Sequence, residues 1–184
     1  MAWDVRTSRT AYKNRWMEVR EDEFVHENGS EGVYAVVCKP DYAVIAPLAI
    51  GHIYLVEQFR YPVSGRYWEF PQGSWEDEPD KVPEELARAE LREETGLSAE
   101  KLEHIGHLFQ AYGYSNQGFN VFVASGLTEG EQDLDPEEQG LVCQAFSLLE
   151  VKGMIETGQI KDATTLAVLG LMTTRGMIPP LSQF

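Results

Sequence analysis

The sequence predicts an α+β domain, a mixed β-sheet lying between helices with an N-terminal antiparallel strand region ahead of it. Two observations carry this expectation. Short β-branched and aromatic runs crowd the first third of the chain, and one strongly helical segment separates them from later strands and two closing helices. A doubly wound parallel sheet would instead alternate strand with helix from the start. At 184 residues and 43% hydrophobic, the chain has enough apolar material for one domain, residues 1–184, without disulfide or metal staples.

Taken in order, Trp16 to Phe24 alternates apolar with polar, Gly32 to Cys38 and Tyr42 to Leu48 are rich in Val, Ile, Ala and Tyr, and His52 to Phe59 follows a turn at Gly51. Asn28-Gly29 marks the turn after the first run. Their close spacing favours antiparallel pairing over helical crossovers. Pro83 to Thr95 then reads as a helix: Pro suits the first position, Glu84 and Glu85 the positive end of the dipole, and Gly96 the stop. Strands are expected at Glu103 to Gln110, Asn120 to Ser125 and Leu141 to Phe146. Ser147 and Glu150 match a capping box, and Asp162 caps a last helix that ends at Gly176.

The balance of 15 Lys plus Arg against 30 Asp plus Glu gives a formal net charge of -15. That field repels DNA, RNA and anionic membranes, yet admits a small anion wherever metal ions and a few arginines reverse the charge inside one pocket. No apolar window approaches the ~20 residues of a membrane span, and the N-terminus has no apolar targeting region. Cys38 and Cys143 sit in apolar runs, so the expectation is a cytoplasmic protein with reduced core thiols. His104 and His107, three apart on a strand, should face opposite ways, and all four histidines read as structural.

Within the first helix, Glu90, Glu93 and Glu94 stand at offsets of three and four and so share one side. Like charges so placed cost a few tenths of a kcal/mol on an isolated helix unless solvent or cations separate them. A hard divalent ion is one answer, because it binds carboxylate oxygen and bridges to phosphate. A solvated acidic face is the other.

The surrounding residues resemble the signature of the Nudix hydrolases, a Gly, a loop, and a helix reading Arg-Glu-aliphatic-x-Glu-Glu-x-Gly-aliphatic. Gly73 opens it, and Glu90, Leu91, Glu93, Glu94, Gly96 and Leu97 fill the helical half. Gln58 to Pro62, Trp68 to Gly73 and Ile155 to Thr165 look like the ADP-ribose and nucleotide-sugar pyrophosphatase branch, so the likeness covers roughly residues 12–172. Two features depart from it. Ala89 stands where the family has Arg, and the loop after Gly73 is about two residues longer, leaving Glu78 as the nearest match to the loop glutamate.

The resemblance implies an α/β/α sandwich with a catalytic core at 46–184 and a strand region at 1–45 that forms a homodimer. It implies Mg²⁺, with Mn²⁺ possible, held by Glu90, Glu93, Glu94 and the Gln72 carbonyl. Glu93 acts there directly or through water. The general base would come from the acidic loop 133–140, Glu137 first and Glu138 second. Arg60 would clamp phosphate, Glu69 would hold Arg60 or a ribose hydroxyl, Trp16, Tyr34 or Trp68 would stack on a base, and Ser115 and Gln117 would face the terminal sugar. The reaction implied is Mg²⁺-dependent hydrolysis of the pyrophosphate in ADP-ribose or a related nucleoside diphosphate sugar. Because Gln72 replaces the usual Ala, a dinucleoside polyphosphate or capped-RNA hydrolase is an alternative. Ala89 and the longer loop motivate a third, a catalytically silent nucleotide-sugar binder.

Overall fold

The structure, a computed structural model, describes residues 3–75, 82–134 and 138–183. Strands β1 (Asp4–Lys13), β2 (Glu18–Val25) and β3 (Glu31–Cys38) form a separate antiparallel sheet in the order β1-β2-β3. The Asn28-Gly29 turn joins β2 to β3, with Gly29 at φ 83° and the His26 amide donating to the Ser30 carbonyl at 2.8 Å. Strand β1 shows no alternation, since all ten of its residues are exposed, which is why the sequence pattern missed it.

The main sheet contains β4 (Tyr42–Ala49), β5 (His52–Arg60), β6 (Gly65–Glu69), β7 (Gln72–Gly73), β8 (Leu97–Phe109), β9 (Gly118–Glu129) and β10 (Val142–Ser147). Its order is β10-β5-β4-β9-β8, with β6 on β5 and β7 on β4. Strands β4 and β9 run parallel and the other pairs are antiparallel, so the sheet is mixed. Strand β3 pairs with β2 and not with β4, so the passage between the two sheets lies at 39–41.

Helices cover both faces. Ala43, Ile45, Phe122 and Ala124 pack with Leu86, Ala87 and Leu91 of α1 (Pro83–Thr95). The alternate residues Val44, Ala46, Val121 and Val123 pack with α2 (Leu148–Glu156) and α3 (Ala163–Thr174). Burial on both sides makes Tyr42 to Pro47 continuously buried, as a central strand between two layers requires. The capping box at Ser147 forms as expected, and Asp162 accepts from the Thr164 and Thr165 amides at 3.3 and 2.7 Å.

Two local expectations change. Cys38 and Cys143 are free but half-buried, lying at the margins of the core. A β-bulge between His104 and Gly106 adds a residue to β8, so His104 opposes Phe122 and His107 opposes Asn120; both histidines therefore share one exposed face. His104 bonds Asn120 at 3.1 Å, and His107 bonds Asp41 at 2.7 Å. No helix among the described residues is long and apolar enough to cross a membrane.

Gly96 ends α1 in the left-handed region at φ 72°, and a Cβ there would lie 2.6 Å from the Gly130 carbonyl oxygen. Gly96→Ala should therefore destabilise the fold by at least about 1–2 kcal/mol, the cost of that conformation for an L-residue before the clash is added. Urea unfolding checks this; an unchanged midpoint would contradict the packing described.

Candidate active site

Strand β7 fixes the start of the site. Val44 and Ala43 of the central strand pair with Gln72 and Gly73, so the chain leaves the middle of the sheet and returns as α1 above it. One face of α1 is buried, and it carries Leu86, Ala87 and Leu91 together with Glu90 and Glu94. The apolar members anchor the helix, while the two glutamates, four apart and ~40° around the axis, meet β7. The Gln72 amide donates to Glu94 Oε2 at 3.0 Å. Gly73 is required by close approach: a Cβ there would sit 2.4 Å from the carboxyl carbon and both oxygens of Glu90.

Glu138, half-buried just before β10, completes the group. One carboxylate oxygen from each of Glu90, Glu94 and Glu138 lies within 4.8 Å of the others. Burial pushes the Glu94 carboxyl well above its ordinary range, the negative charges of Glu90 and Glu138 push the same way, and the Gln72 amide opposes them. Of the neighbouring arginines, Arg88 bonds Glu84 at 2.8 Å and the Ala99 carbonyl at 3.3 Å, and Arg92 pairs with Asp133 at 3.4 Å.

Gln72, Gly73 and Ser74 also line a cavity of about 630 Å³. Its other walls come from β5 and β6 (Arg60, Tyr67, Glu69), from Lys39 and Tyr42, from Gln117, and from Lys161 and Asp162 at the start of α3. Glu69 is buried and accepts from Arg60 through both Nε and Nη2, and from Gln58 Nε2 at 2.9 Å. Burial raises the Glu69 carboxyl, and Arg60 opposes the rise. Arg60 keeps 40% of its side chain accessible, so its guanidinium is oriented by a buried carboxylate while still bordering the cavity. The Tyr42 hydroxyl, bonded to Thr164 Oγ1 at 3.0 Å, is pushed up to about 12 by burial and stays a neutral hydroxyl.

The structure thus brings together Glu90, Glu94 and Glu138 at one cluster and Arg60, Glu69, Gln72 and Gln117 at one cavity. Gln117 is buried, and its Nε2 donates to the Pro40 carbonyl at 2.8 Å. Other expected residues lie apart. Glu93, ~60° from Glu90 on the side away from Glu94, is half-buried and lines a separate cleft with Arg88, Arg92 and Ser98. Trp68 stands edge-on to Phe146 with ring centroids 4.7 Å apart and packs on the core, whereas its neighbour Tyr67 lines the cavity. Ser115 ties its loop to the N-terminal sheet by donating to the Val37 carbonyl at 2.9 Å. Trp16 carries Arg15 over its ring, and the Tyr34 hydroxyl donates to the Gly113 carbonyl. Glu137 and Glu78 fall outside the described residues. Sequence patterning does not mark Tyr42, Tyr67 and Lys161 as cavity residues; Lys161, whose Nζ lies 5.1 Å from the Tyr67 ring centroid, directly precedes the helix cap Asp162, which is the one local signal that points to it.

Comparison with known proteins agrees with this geometry. The NUDIX domain matches residues 31–169, and the nucleoside diphosphate sugar hydrolase N-terminal domain matches residues 3–37. An ADP-ribose pyrophosphatase of Bacillus subtilis is 33% identical over 75% of this chain and 75% of its own. One from Mycobacterium tuberculosis is 29% identical over 77% of this chain and 67% of its own, and a methanol dehydrogenase activator of Bacillus methanolicus is 29% identical over 84% of each. A crystal structure of an ADP compounds hydrolase superposes with a TM-score of 0.84 at 22% identity, covering 97% of this chain and 98% of that one, which shows the shared fold. With a carboxylate helix packed on a glycine strand and a family match across most of its length, the chain belongs to the Nudix hydrolases.

Proposed function

We propose that this protein hydrolyses the pyrophosphate bond of ADP-ribose or a related nucleoside diphosphate sugar, with Mg²⁺ or Mn²⁺ as cofactor, giving a nucleoside monophosphate and a sugar phosphate. The observation that carries this reading is the Glu90, Glu94 and Glu138 cluster set against Gln72 and Gly73, which themselves line the cavity. Two relatives bear the name ADP-ribose pyrophosphatase, which supports the choice of substrate.

The donor set fits a hard divalent cation. It is all oxygen, and the buried Glu94 carboxyl, destabilised by its neighbours, is the kind of group such an ion relieves. Glu90 and Glu94 would hold the ion, with the Gln72 carbonyl beside them and Glu93 as an outer carboxylate acting through water. A bound cation supplies charge neutralisation at the phosphoryl oxygens and a more acidic water. The chain supplies the rest. Arg60, held in a fixed orientation by Glu69, clamps a phosphate bidentately. Glu138 takes the proton of the attacking water, a general-base role worth roughly 10²–10⁴-fold; Glu137, beside it in sequence, is the other candidate of that loop for the same role. Gln117 offers an amide to the sugar end, while Trp68 and Ser115 support the walls from behind.

The N-terminal sheet supports a homodimer. Every residue of β1 is exposed, Val5 and Tyr12 among them, and Val33 on β3 is 63% exposed. Sedimentation equilibrium should give twice the chain mass; a monomer at micromolar concentration would contradict it.

Turnover is tested on a panel of ADP-ribose, other nucleoside diphosphate sugars and dinucleoside polyphosphates, with and without Mg²⁺. AMP and ribose 5-phosphate should appear from ADP-ribose only with metal, and Glu94→Gln should lower kcat by roughly 10²-fold or more without loss of fold. Tight binding without metal-dependent turnover would select the silent binder instead.

The metal site also predicts a pH effect. Because the Glu94 carboxyl is raised in the folded state, that state holds its proton more tightly than the unfolded chain, and stability is lost as pH rises above the ordinary value of 4.5. Without divalent ions, Glu94→Gln should therefore gain in Tm over the wild type between pH 5 and pH 8. Mg²⁺ at pH 8 should raise the Tm of the wild type and not of the variant. A constant Tm difference across that range would contradict the electrostatics described.

A further inference from the structure

We propose that Arg66 is a positioning residue for Glu138, and this inference rests on the reading of Glu138 as the proton acceptor. Glu90 and Glu94 are aimed by a helix, whereas Glu138 stands in the connection that enters β10. Something must hold that connection against the sheet if its carboxylate is to stay with the other two. Strand β6 places Arg66 opposite Phe59 and, across the same face of the β5–β6 pair, diagonal to Glu57. Arg66 Nε donates to Glu57 Oε2 at 2.8 Å, and its Nη2 donates to the Glu57 carbonyl at 3.0 Å and to the Gly140 carbonyl at 2.6 Å.

One guanidinium thus reaches from β6 across β5 to the residue pair before β10. The Leu141 amide then donates back to the Glu138 carbonyl at 3.0 Å, closing the turn that carries the carboxylate. Arg66 does not line the cavity, so it acts through Glu138 and not on substrate. Its ion pair with Glu57 is partly exposed, at 39% and 28%, so a contribution to global stability is small. A planar fork suits this bridging geometry, because it presents several donors in fixed directions, which a lysine ammonium does not. Displacements of about 1 Å in a reacting group can cost up to roughly 10²-fold in rate.

Mg²⁺-dependent ADP-ribose hydrolysis by the full chain tests this, comparing wild type with Arg66→Ala, Arg66→Lys, Glu57→Gln, Glu138→Gln and the Arg66→Ala/Glu138→Gln double variant. Arg66→Ala should lower kcat roughly tenfold or more with KM within about twofold, and Arg66→Lys should recover part of the loss. In the Glu138→Gln background Arg66→Ala should cost nothing further. Should Arg66→Ala not fold, Glu57→Gln carries the same test, since it turns one anchor of the fork from a charge-assisted into a weaker neutral hydrogen bond and should lose kcat only while Glu138 is present. Wild-type kcat in the folded Arg66→Ala variant, a loss confined to KM, or losses that multiply with Glu138→Gln would each overturn the proposal. A wild type without turnover, or Glu138→Gln with full kcat, would overturn the reading of Glu138 itself and the proposal with it.

Discussion

Two carboxylates packed against a strand backbone set the terms for everything around them. Taking an ion out of water costs several kcal/mol even after relaxation, and Glu90 and Glu94 are 7% and 1% exposed. The cost is tolerable because Gly73 leaves room for one and the Gln72 amide meets the other. It also has to be resisted by the helix that carries them. Leu86, Ala87 and Leu91 bury the same face of α1 against Ala43, Ile45 and Phe122, and each fully buried leucine contributes roughly 1.5–3 kcal/mol. The apolar packing holds in place a strained electrostatic arrangement, as functional sites commonly require.

The field around that arrangement is unusual for so acidic a chain. Lys39, Arg60 and Lys161 all border one cavity in a protein whose net charge is -15. Arg60 is matched by buried Glu69, while Lys39 and Lys161 form no ion pair with a carboxylate among the described residues. A local surplus of positive charge facing a carboxylate cluster is the pattern that a phosphorylated ligand bridged by cations would complete.

How far the sequence foretold this depended on whether the signal was local. Helix α1, its Gly96 stop, the Ser147 capping box and the Asp162 cap were legible because each is written within a few neighbouring residues. Strand β1 was not, because it buries no face and so has no period; β6 is five residues long, and its Trp68-Glu69 end reads as motif before it reads as strand. The acidic stripe was legible as a stripe, but only the fold distinguishes Glu90 and Glu94, buried against β7, from half-buried Glu93, since an offset of three turns a side chain farther round the helix than an offset of four. Glu138 joins the cluster from a distant segment, a contact that no local spacing encodes. The β8 bulge likewise moves His107 onto the face of His104 through a register shift that only pairing with β9 reveals.

Strands β4 and β5 stay together for just two rungs, Leu48 with Ile53 and Ala49 with His52, before β7 takes up the edge of one and β6 that of the other. The pair therefore opens like a wedge, with the carboxylates mounted on the β7 jaw and the Arg60–Glu69 clamp on the β5–β6 jaw. The hairpin around Ile50 and Gly51 closes that wedge at its narrow end. A change in this tight turn would tilt one set of polar residues against the other without touching either.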